Sequence, residues 1–595
     1  MDYFNYFGSL VNLNLPGYYF HWSILTISLA NLIIIAVMVI IFGLAIILPF
    51  PRGKEIKETS LKTDNPKAVD QEPSQNSKML TFRLRRLIRK YLSLDNLIPD
   101  HQPAYVSSWI YVFGIATLAS LFIVILSGLM LAIGGVNWWH ESSLGHFVNS
   151  VHLWGVELFM AFMVIHLWGK FWMSAWRGKR MLTWMTGVLA FLASITEAFT
   201  GYLSQQNFAS QWISTNGKDA INATGLGSFF NLMNFGQIIA WHIVLIPLAL
   251  VGLVLIHILL VRIKGVVPPV VKVKRTNKEL RKRLTSLESS KWKGPNRKYD
   301  IIMEGIIATV IATLLIVSLA FILSSPDDPA LTISNWAKMA PADFVGTVLS
   351  ELNGTSETAQ YGPPYNYGSN NLQKIGGLSW QLIAGVHQQI NPAQTFVLGP
   401  LEKLDYNNLA LSNALKEYTS SSKYQRIVWL TNYSNVLPKL TFKHNIPILP
   451  KTNDGPVPEI IASELGYARS GAINASLLSS SSFYGSNYSK PLLFIEDGNY
   501  FTSIAKARHL YGTQWGVMNE TGSYPGQPWL WFYSLWYQIP AFSTSTNVDL
   551  IAIYLTAIST ILLLLVPFIP GIRDIPKIIP IYKLIWRRWY KKNLK

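Results

Sequence analysis

Seven stretches of the chain stay apolar for about 20 residues or more, the length a helix needs to cross the hydrocarbon core of a bilayer. They lie at about 22–50, 107–134, 147–169, 182–204, 237–261, 301–324 and 547–570. The polar stretches between them differ in kind. Residues 51–104 begin as a polar linker, "KETSLKTDNPKAVDQEPSQNSK", and continue as a surface helix, "LTFRLRRLIRKYLSL". Residues 266–300 are a short basic loop. Residues 325–546 are rich in Ser, Asn, Tyr, Gly and Pro, and short apolar runs such as "QRIVWLTNY" and "KPLLFIEDG" fit strands or short helices equally well. The pattern predicts an all-α membrane protein. A four-helix transmembrane bundle occupies 105–265, with three further transmembrane helices in 1–50, 301–324 and 547–595, and 325–546 forms a large external domain of unknown fold.

Composition agrees with this pattern, since half the residues are hydrophobic and 14% are charged. The net charge of +18 raises the possibility of nucleic acid, but its distribution argues for topology. Basic residues gather at 52–90, 170–180, 262–283 and the C-terminal "IWRRWYKK", whereas 135–146, 205–236 and 325–546 are close to neutral. Lys and Arg mark the cytoplasmic face. The alternation therefore predicts a multi-pass protein of a prokaryotic cell membrane, N-terminus outside and C-terminus cytoplasmic, whose basic loops contact anionic lipid and no nucleic acid. The N-terminus lacks a basic n-region, so the first apolar run reads as a retained span. The chain has no cysteine, which excludes disulfides, thiolate metal sites and thioether-linked haem. Sequons at Asn222, Asn353, Asn432, Asn474, Asn487 and Asn519 all fall on the side assigned outside, as expected of a glycoprotein from a host such as an archaeon.

Histidines inside two of the apolar runs change the picture. "VHLWGVELFMAFMVIHLW" carries His152 and His166, fourteen residues apart, and "WHIVLIPLALVGLVLIH" carries His242 and His257, fifteen apart. Fourteen helical steps rise roughly 21 Å and return to within about 40° of the same face. The charge pattern sends both runs across in the same direction, so His152 lies level with His242 and His166 with His257. Each pair supplies two axial imidazoles to one iron, which predicts two stacked, non-covalently held haems, b-type or a-type. A bare metal ion would need ligands three or four residues apart. The fifteenth residue in the second run rotates its histidine by about 60°, and Pro247 is placed to supply a compensating unwinding. Gly114 and Gly128 on the first core span, and Gly187 and Gly201 on the third, repeat the fourteen-residue spacing and would let porphyrin edges approach the backbone.

With these eight positions, "LTWMTGV", "TGYL" and "HILLVRIKG", residues 105–265 resemble the cytochrome b subunit of Rieske/cytochrome b quinol-oxidising complexes, most of all the short form known from photosynthetic complexes. The resemblance implies quinol oxidation near the outer face, one electron passing to a Rieske iron-sulfur protein and the other crossing through the two haems, with protons released outside. It further implies a downstream cytochrome, copper protein or terminal oxidase, and a dimer or supercomplex.

The chain departs from that family in places. Its outer quinol site normally carries Pro-Glu-Trp-Tyr; here "QPWLWFYSLWYQIP" (527–540) precedes the last span and lacks the acid. Arginines that pair with outer propionates are replaced by Asn149 and Ile238, which would suit an acidic exterior. Glu157 and Glu197 lie in the outer half of the bundle, and Glu197 is the preferred substitute acceptor for a quinol proton. On the inner side, Arg262 and Lys264 follow His257 and can pair with propionates or quinone. A different class of function stays open: a di-haem electron-conducting anchor, without a quinol site, inside an oxidase or dehydrogenase assembly.

Overall fold

The structure, a computed structural model, describes residues 10–13, 17–51, 80–81, 98–270, 295–406, 408–439, 441–443, 446–448, 454–479, 486–511, 515 and 522–593. The basic surface helix expected near 80–95, apart from 80–81, most of the 266–300 loop and Asn519 lie outside them. Seven of the described helices are long and apolar enough to cross a membrane. We number the elements used here α1 Leu29–Ile47, α2 Phe113–Gly134, α3 Ser143–Trp172, α4 Met181–Ser204, α5 Phe208–Ala223, α6 Phe235–Lys264, α7 Ile301–Leu323 and α8 Val548–Leu565.

Local chemistry sets several boundaries. Ser142, Asn207 and Asp300 cap α3, α5 and α7 by accepting from backbone N–H groups of the first turn. Gly265, at φ 75°, ends α6 in a conformation that a side chain would strain. Several hydroxyls within the spans bond back one turn, as Ser120 does to Ala116 O at 2.9 Å and Thr309 to Gly305 O at 2.9 Å, so these two need no water in an apolar surrounding.

The spans pack as two antiparallel pairs, α2 with α3 and α4 with α6, while α7 lies along α2 and α3. Indole donors stitch the layers: Trp154 Nε1 donates to Ser324 O at 2.7 Å, and Trp184 Nε1 to Leu563 O at 3.0 Å. At one end of the bundle the chain's own tail closes the floor. Trp586 is buried and donates to Tyr111 Oη at 2.7 Å, Arg588 donates to Phe50 O at 2.6 Å, and Tyr590 to Val270 O at 2.7 Å.

At the other end sits the domain formed by 325–546. Its apolar runs are short helices, with "QRIVWLTNY" inside Lys423–Val436 and the start of "KPLLFIEDG" inside Ser489–Glu496; the β-hairpin Thr441–Lys443/Ile446–Ile448 is the exception among its described parts. Its core is continuous with that of the bundle through Phe208, Trp212 and Trp336. A buried ion cluster pins it to α5: Lys218 Nζ lies 2.7 Å from Glu496 Oε1 and 3.1 Å from Asp219 Oδ1, and Tyr361 donates to Asp219.

This domain buries more carboxyls than it neutralises. Burial pushes Glu496 up to about 8, against the pull of Lys218. Burial also raises Glu464 and Glu351, the latter with help from Asp497, which burial raises in turn. A carboxyl whose folded pKa exceeds its unfolded value takes up a proton on folding, so stability falls as pH rises through the interval between the two. For Glu496 that interval runs from 4.5 to about 8. The domain's melting temperature should therefore be higher at pH 5 than at pH 8, by about 5 °C or more if each group contributes about 1 kcal/mol. Thermal unfolding followed by near-UV circular dichroism measures this; equal melting at both pH values would contradict it.

Candidate functional site

The four histidines lie on α3 and α6, two to a helix. The His152 and His242 rings lie 6.3 Å apart at the domain end. His166 and His257 line one cavity of about 880 Å³ toward the tail end, within the size range of cofactor pockets. The fifteen-residue spacing on α6 is absorbed locally. Residues Trp241–Leu245 form one turn of π-helix, with Pro247 just beyond. A π turn takes up one residue more than an α turn, so α6 brings its second histidine level with that of α3.

Each glycine stands against one histidine. A Cβ on Gly114 would lie 3.0 Å from His166 Cε1, on Gly128 3.1 Å from His152 Cε1, on Gly187 3.0 Å from His257 Cε1, and on Gly201 2.5 Å from His242 Cε1. The first three contacts are tighter than side chains normally make, and the last would require the His242 imidazole to move.

Hydrogen bonding fixes which ring nitrogen is free. His242 Nδ1 lies 3.2 Å from the Glu197 carbonyl, which can only accept, so Nδ1 carries the proton. The Glu197 carboxylate adds a contact at 3.1 Å to the same nitrogen. Ser127 Oγ, 3.0 Å from His152 Nδ1, already donates to Ile123 O at 2.9 Å and therefore accepts from the ring. Thr186 Oγ1, 3.2 Å from His257 Nδ1, donates to Leu182 O at 2.9 Å and accepts likewise. In all three the proton sits on Nδ1 and the Nε2 lone pair is left for a metal, as such second partners do at metal sites. His166 Nδ1 is buried and has no hydrogen-bond partner among the described residues.

These observations fit haem. Among the described residues no three His, Cys, Asp or Glu side chains converge as a cage for a bare ion would require. Each level instead offers two imidazoles, the number that an iron already held by four macrocycle nitrogens lacks. Backbone without side chains faces the space between them.

The remaining sequence candidates are placed as follows. Arg262 and Lys264 both line the tail-end cavity, where they are joined by Lys170 and Arg180. Lys170 Nζ stands 4.9 Å over the Tyr111 ring, and Arg180 donates to Lys264 O at 2.8 Å. Glu197 is tied to His242, whereas Glu157 is buried on α3 with 7% exposure. Asn149 is buried and donates to Ser325 Oγ at 3.2 Å, and Ile238 is buried in the core.

Besides Arg180, sequence reading missed four features. Ser127 and Thr186 were findable, because each directly precedes one of the spaced glycines. Lys170 follows His166 by one helical turn. The fourth feature is an acid beside the Trp-rich segment. Trp529 packs on Phe199 and Tyr202 of α4, with ring centroids at 6.2 and 6.3 Å, and so covers the α4 end that carries Gly201. From the same segment Tyr533 and Tyr537 share a hydrogen bond of 2.8 Å, Tyr537 donates to Asp549 Oδ1 at 2.6 Å, and Gln373 donates to Asp549 Oδ2 at 2.6 Å. Burial, with Tyr533 and Asp549 adding to it, holds the Tyr537 hydroxyl well above its ordinary range, so it remains a donor.

Comparison with known proteins points to one family. Residues 157–330 match the family model described as Cytochrome b(N-terminal)/b6/petB. The chain carries a cytochrome b/b6-family domain. The cytochrome b subunit of menaquinol:cytochrome c reductase from Bacillus subtilis is 28% identical over 200 residues, spanning 29% of this chain and 89% of that protein. Cytochrome b6 from Heliobacterium mobile is 24% identical over 195 residues, spanning 29% of this chain and 92% of that protein. A solved chain titled "Hyperthermophilic respiratory Complex III" aligns with 67% of this chain and 97% of its own length at 16% identity, with a TM-score of 0.31. The family match contains His166, His242, His257, Gly187 and Gly201. His152 stands before it on α3, which runs on into the match, and Gly114 and Gly128 stand before it on α2, which packs along α3. The external domain beyond residue 330 lies outside the match, and the whole is a multi-pass membrane protein.

Proposed function

We propose that this chain is the cytochrome b subunit of a quinol-oxidising complex, holding two bis-imidazole haems, one between His152 and His242 and one between His166 and His257. The observation that carries the reading is the one-to-one opposition of four histidines and four glycines at two depths, with three of the Nε2 lone pairs left free. When bound, the two haems supply one-electron carriers at two depths. The residues of the chain do the rest. Ser127, Thr186 and Glu197 hold the imidazole planes, and Lys170, Arg180, Arg262 and Lys264 give the inner cavity the positive charge that propionates or a quinone oxygen attract.

Quinol oxidation releases two protons for two electrons, so the outer site needs acceptors. One oxygen of the Glu197 carboxyl contacts His242 while the other is buried without a hydrogen-bond partner among the described residues, so Glu197 stays a candidate acceptor beside Glu157; Tyr533–Tyr537–Asp549 adds a second route that leads a proton from the Trp-rich cover to a carboxylate. The relatives' names support a quinol as donor and a cytochrome c as the eventual oxidant in their complexes. For this chain the electron acceptor is assigned as a Rieske iron-sulfur protein, with proton release on the outer side where the external domain stands. In this reading the N-terminus is outside, the tail is cytoplasmic, and the domains follow the boundaries derived from the sequence.

The test is quinol-driven reduction of the isolated complex combined with a pyridine haemochrome assay. Two haems per chain are expected, reduced on adding quinol and protected by inhibitors of quinol sites. Two haems without quinol reduction would favour the electron-conducting anchor, and absence of haem would overturn both readings.

A further inference from the structure

Two stretches of the external region, far apart in sequence, form a single uncharged apolar surface. The Ser228 hydroxyl donates to Gly385 O at 3.4 Å, and the rings of Phe229 and His387 lie 5.4 Å apart. A Cβ on Gly225 would come within 2.9 Å of Trp380 O, which shows how closely the two backbones approach. Seven large side chains on this surface stand open: Leu226 at 59%, Phe229 at 72%, Ile375 at 39%, Leu378 at 44%, Trp380 at 41%, Leu382 at 50% and Ile383 at 63% exposure. Neither 225–230 nor 375–387 contains Asp, Glu, Lys or Arg. An apolar surface of this kind on an otherwise polar domain marks a place of contact.

Its position identifies the contact. Trp380 Nε1 donates to the hydroxyl of Tyr554 on α8. Tyr554 is six residues beyond Val548, so at 1.5 Å per residue it lies about 9 Å along the span from its first residue. Just before Trp380, Lys374 N donates to Asn547 Oδ1 at 2.7 Å and Gln373 bonds Asp549, so this segment descends alongside the first turns of α8. On the other flank, the Phe230 ring meets that of Trp241, at the domain end of α6, at 5.4 Å. The surface is thus bracketed by the ends of two membrane spans and reaches below the end of one of them.

We propose that residues 225–230 and 375–387 form a membrane-inserted face of the external domain, seated among the acyl chains and headgroups of the outer leaflet beside α6 and α8. Trp380, with its ring in the apolar zone and its N–H satisfied by Tyr554, has the placement that interfacial tryptophans adopt. The face acts as an interfacial element, lying in the leaflet without spanning it. Because Gln373 belongs to the same segment, lipid would cover the flank of Asp549 that water would otherwise reach.

The chain contains no cysteine, so a single introduced cysteine is the one site it offers to a thiol label, and labelling of the unsubstituted complex gives the background. Nitroxides at Ile383→Cys and, as a second site, Phe229→Cys are compared in lipid nanodiscs with references at Ile558→Cys on α8 and Tyr406→Cys on the external domain, both exposed at 54% and 90%. Collision with dissolved oxygen and with a water-soluble nickel chelate is measured by electron paramagnetic resonance. The expected result is a high oxygen and low nickel rate at 383 and 229, matching Ile558→Cys, with several-fold higher nickel rates at Tyr406→Cys. Nickel rates at 383 and 229 equal to those at 406 would overturn the proposal, and low rates for both reagents would overturn it in favour of a protein partner. A high nickel rate at Ile558→Cys would instead overturn the membrane-span reading on which the proposal rests.

Discussion

On the proposed two-haem reading, Gly201→Val should cost the purified complex one haem and leave the other. A single added carbon at Gly201 would lie 2.5 Å from His242 Cε1 and 3.0 Å from Nε2, and valine adds two more. The imidazole cannot retreat freely, because Nδ1 is held by both oxygen types of Glu197 at 3.2 and 3.1 Å. The cost is therefore borne where the cofactor would enter. The tail-end pair, with Gly114 and Gly187, is untouched, so haem content should fall by about half and the surviving haem should keep its bis-imidazole spectrum. Gly252→Ala is the matched control: nothing lies within 4 Å of a Cβ there. A helical glycine in open space gains about 0.5–1 kcal/mol on becoming alanine, so this variant should keep both haems. Full haem in Gly201→Val would mean that the glycine serves helix packing alone.

Asp549→Asn should lower quinol turnover by about 100-fold while leaving haem content intact, the magnitude typical of removing a proton acceptor. Asparagine keeps the shape of the side chain and an oxygen for Tyr537, but it cannot take up the proton. Tyr537→Phe should fall in the same direction, since it cuts the 2.6 Å link to Asp549. Glu197→Gln should behave differently. It replaces the acid beside His242 Nδ1 with a neutral amide and should raise the midpoint potential of the domain-end haem, because an acidic partner on the ligand imidazole favours the ferric state. Steady-state kinetics with redox titration separates the two, and wild-type turnover in both Asp549→Asn and Tyr537→Phe would exclude this route.

The sequence carried the spans and the ligand frame for a physical reason: crossing a bilayer demands long apolar runs, and a histidine within one is costly enough to stand out. The glycines were legible because they share the histidine spacing. The π turn at Trp241–Leu245 was announced by an inconsistency, fifteen residues against fourteen, and by Pro247, though its hydrogen-bond pattern could be seen only in the backbone. Asp549 was not legible. It meets Tyr537 from twelve residues away, across the turns that lead into α8, and Gln373 from 176 residues away. The fold of the external domain was hidden for a related reason. Many of its helices are short, such as Glu357–Gln360 and Trp380–Ala384, so their apolar residues show no period long enough to read. They are held by long-range contacts such as Trp212 to Leu510 O at 2.8 Å.

The aromatic tail that closes the bundle floor also sets an order of events. Tyr111 and Phe50 line the tail-end cavity, and their partners Trp586 and Arg588 follow α8, more than 300 residues after His257. While the chain is being made, the His166–His257 chamber therefore stands unfloored, with both of its ligand helices complete. Whatever occupies that chamber therefore meets both ligand helices before the segment that packs beneath Tyr111 and Phe50 has been made.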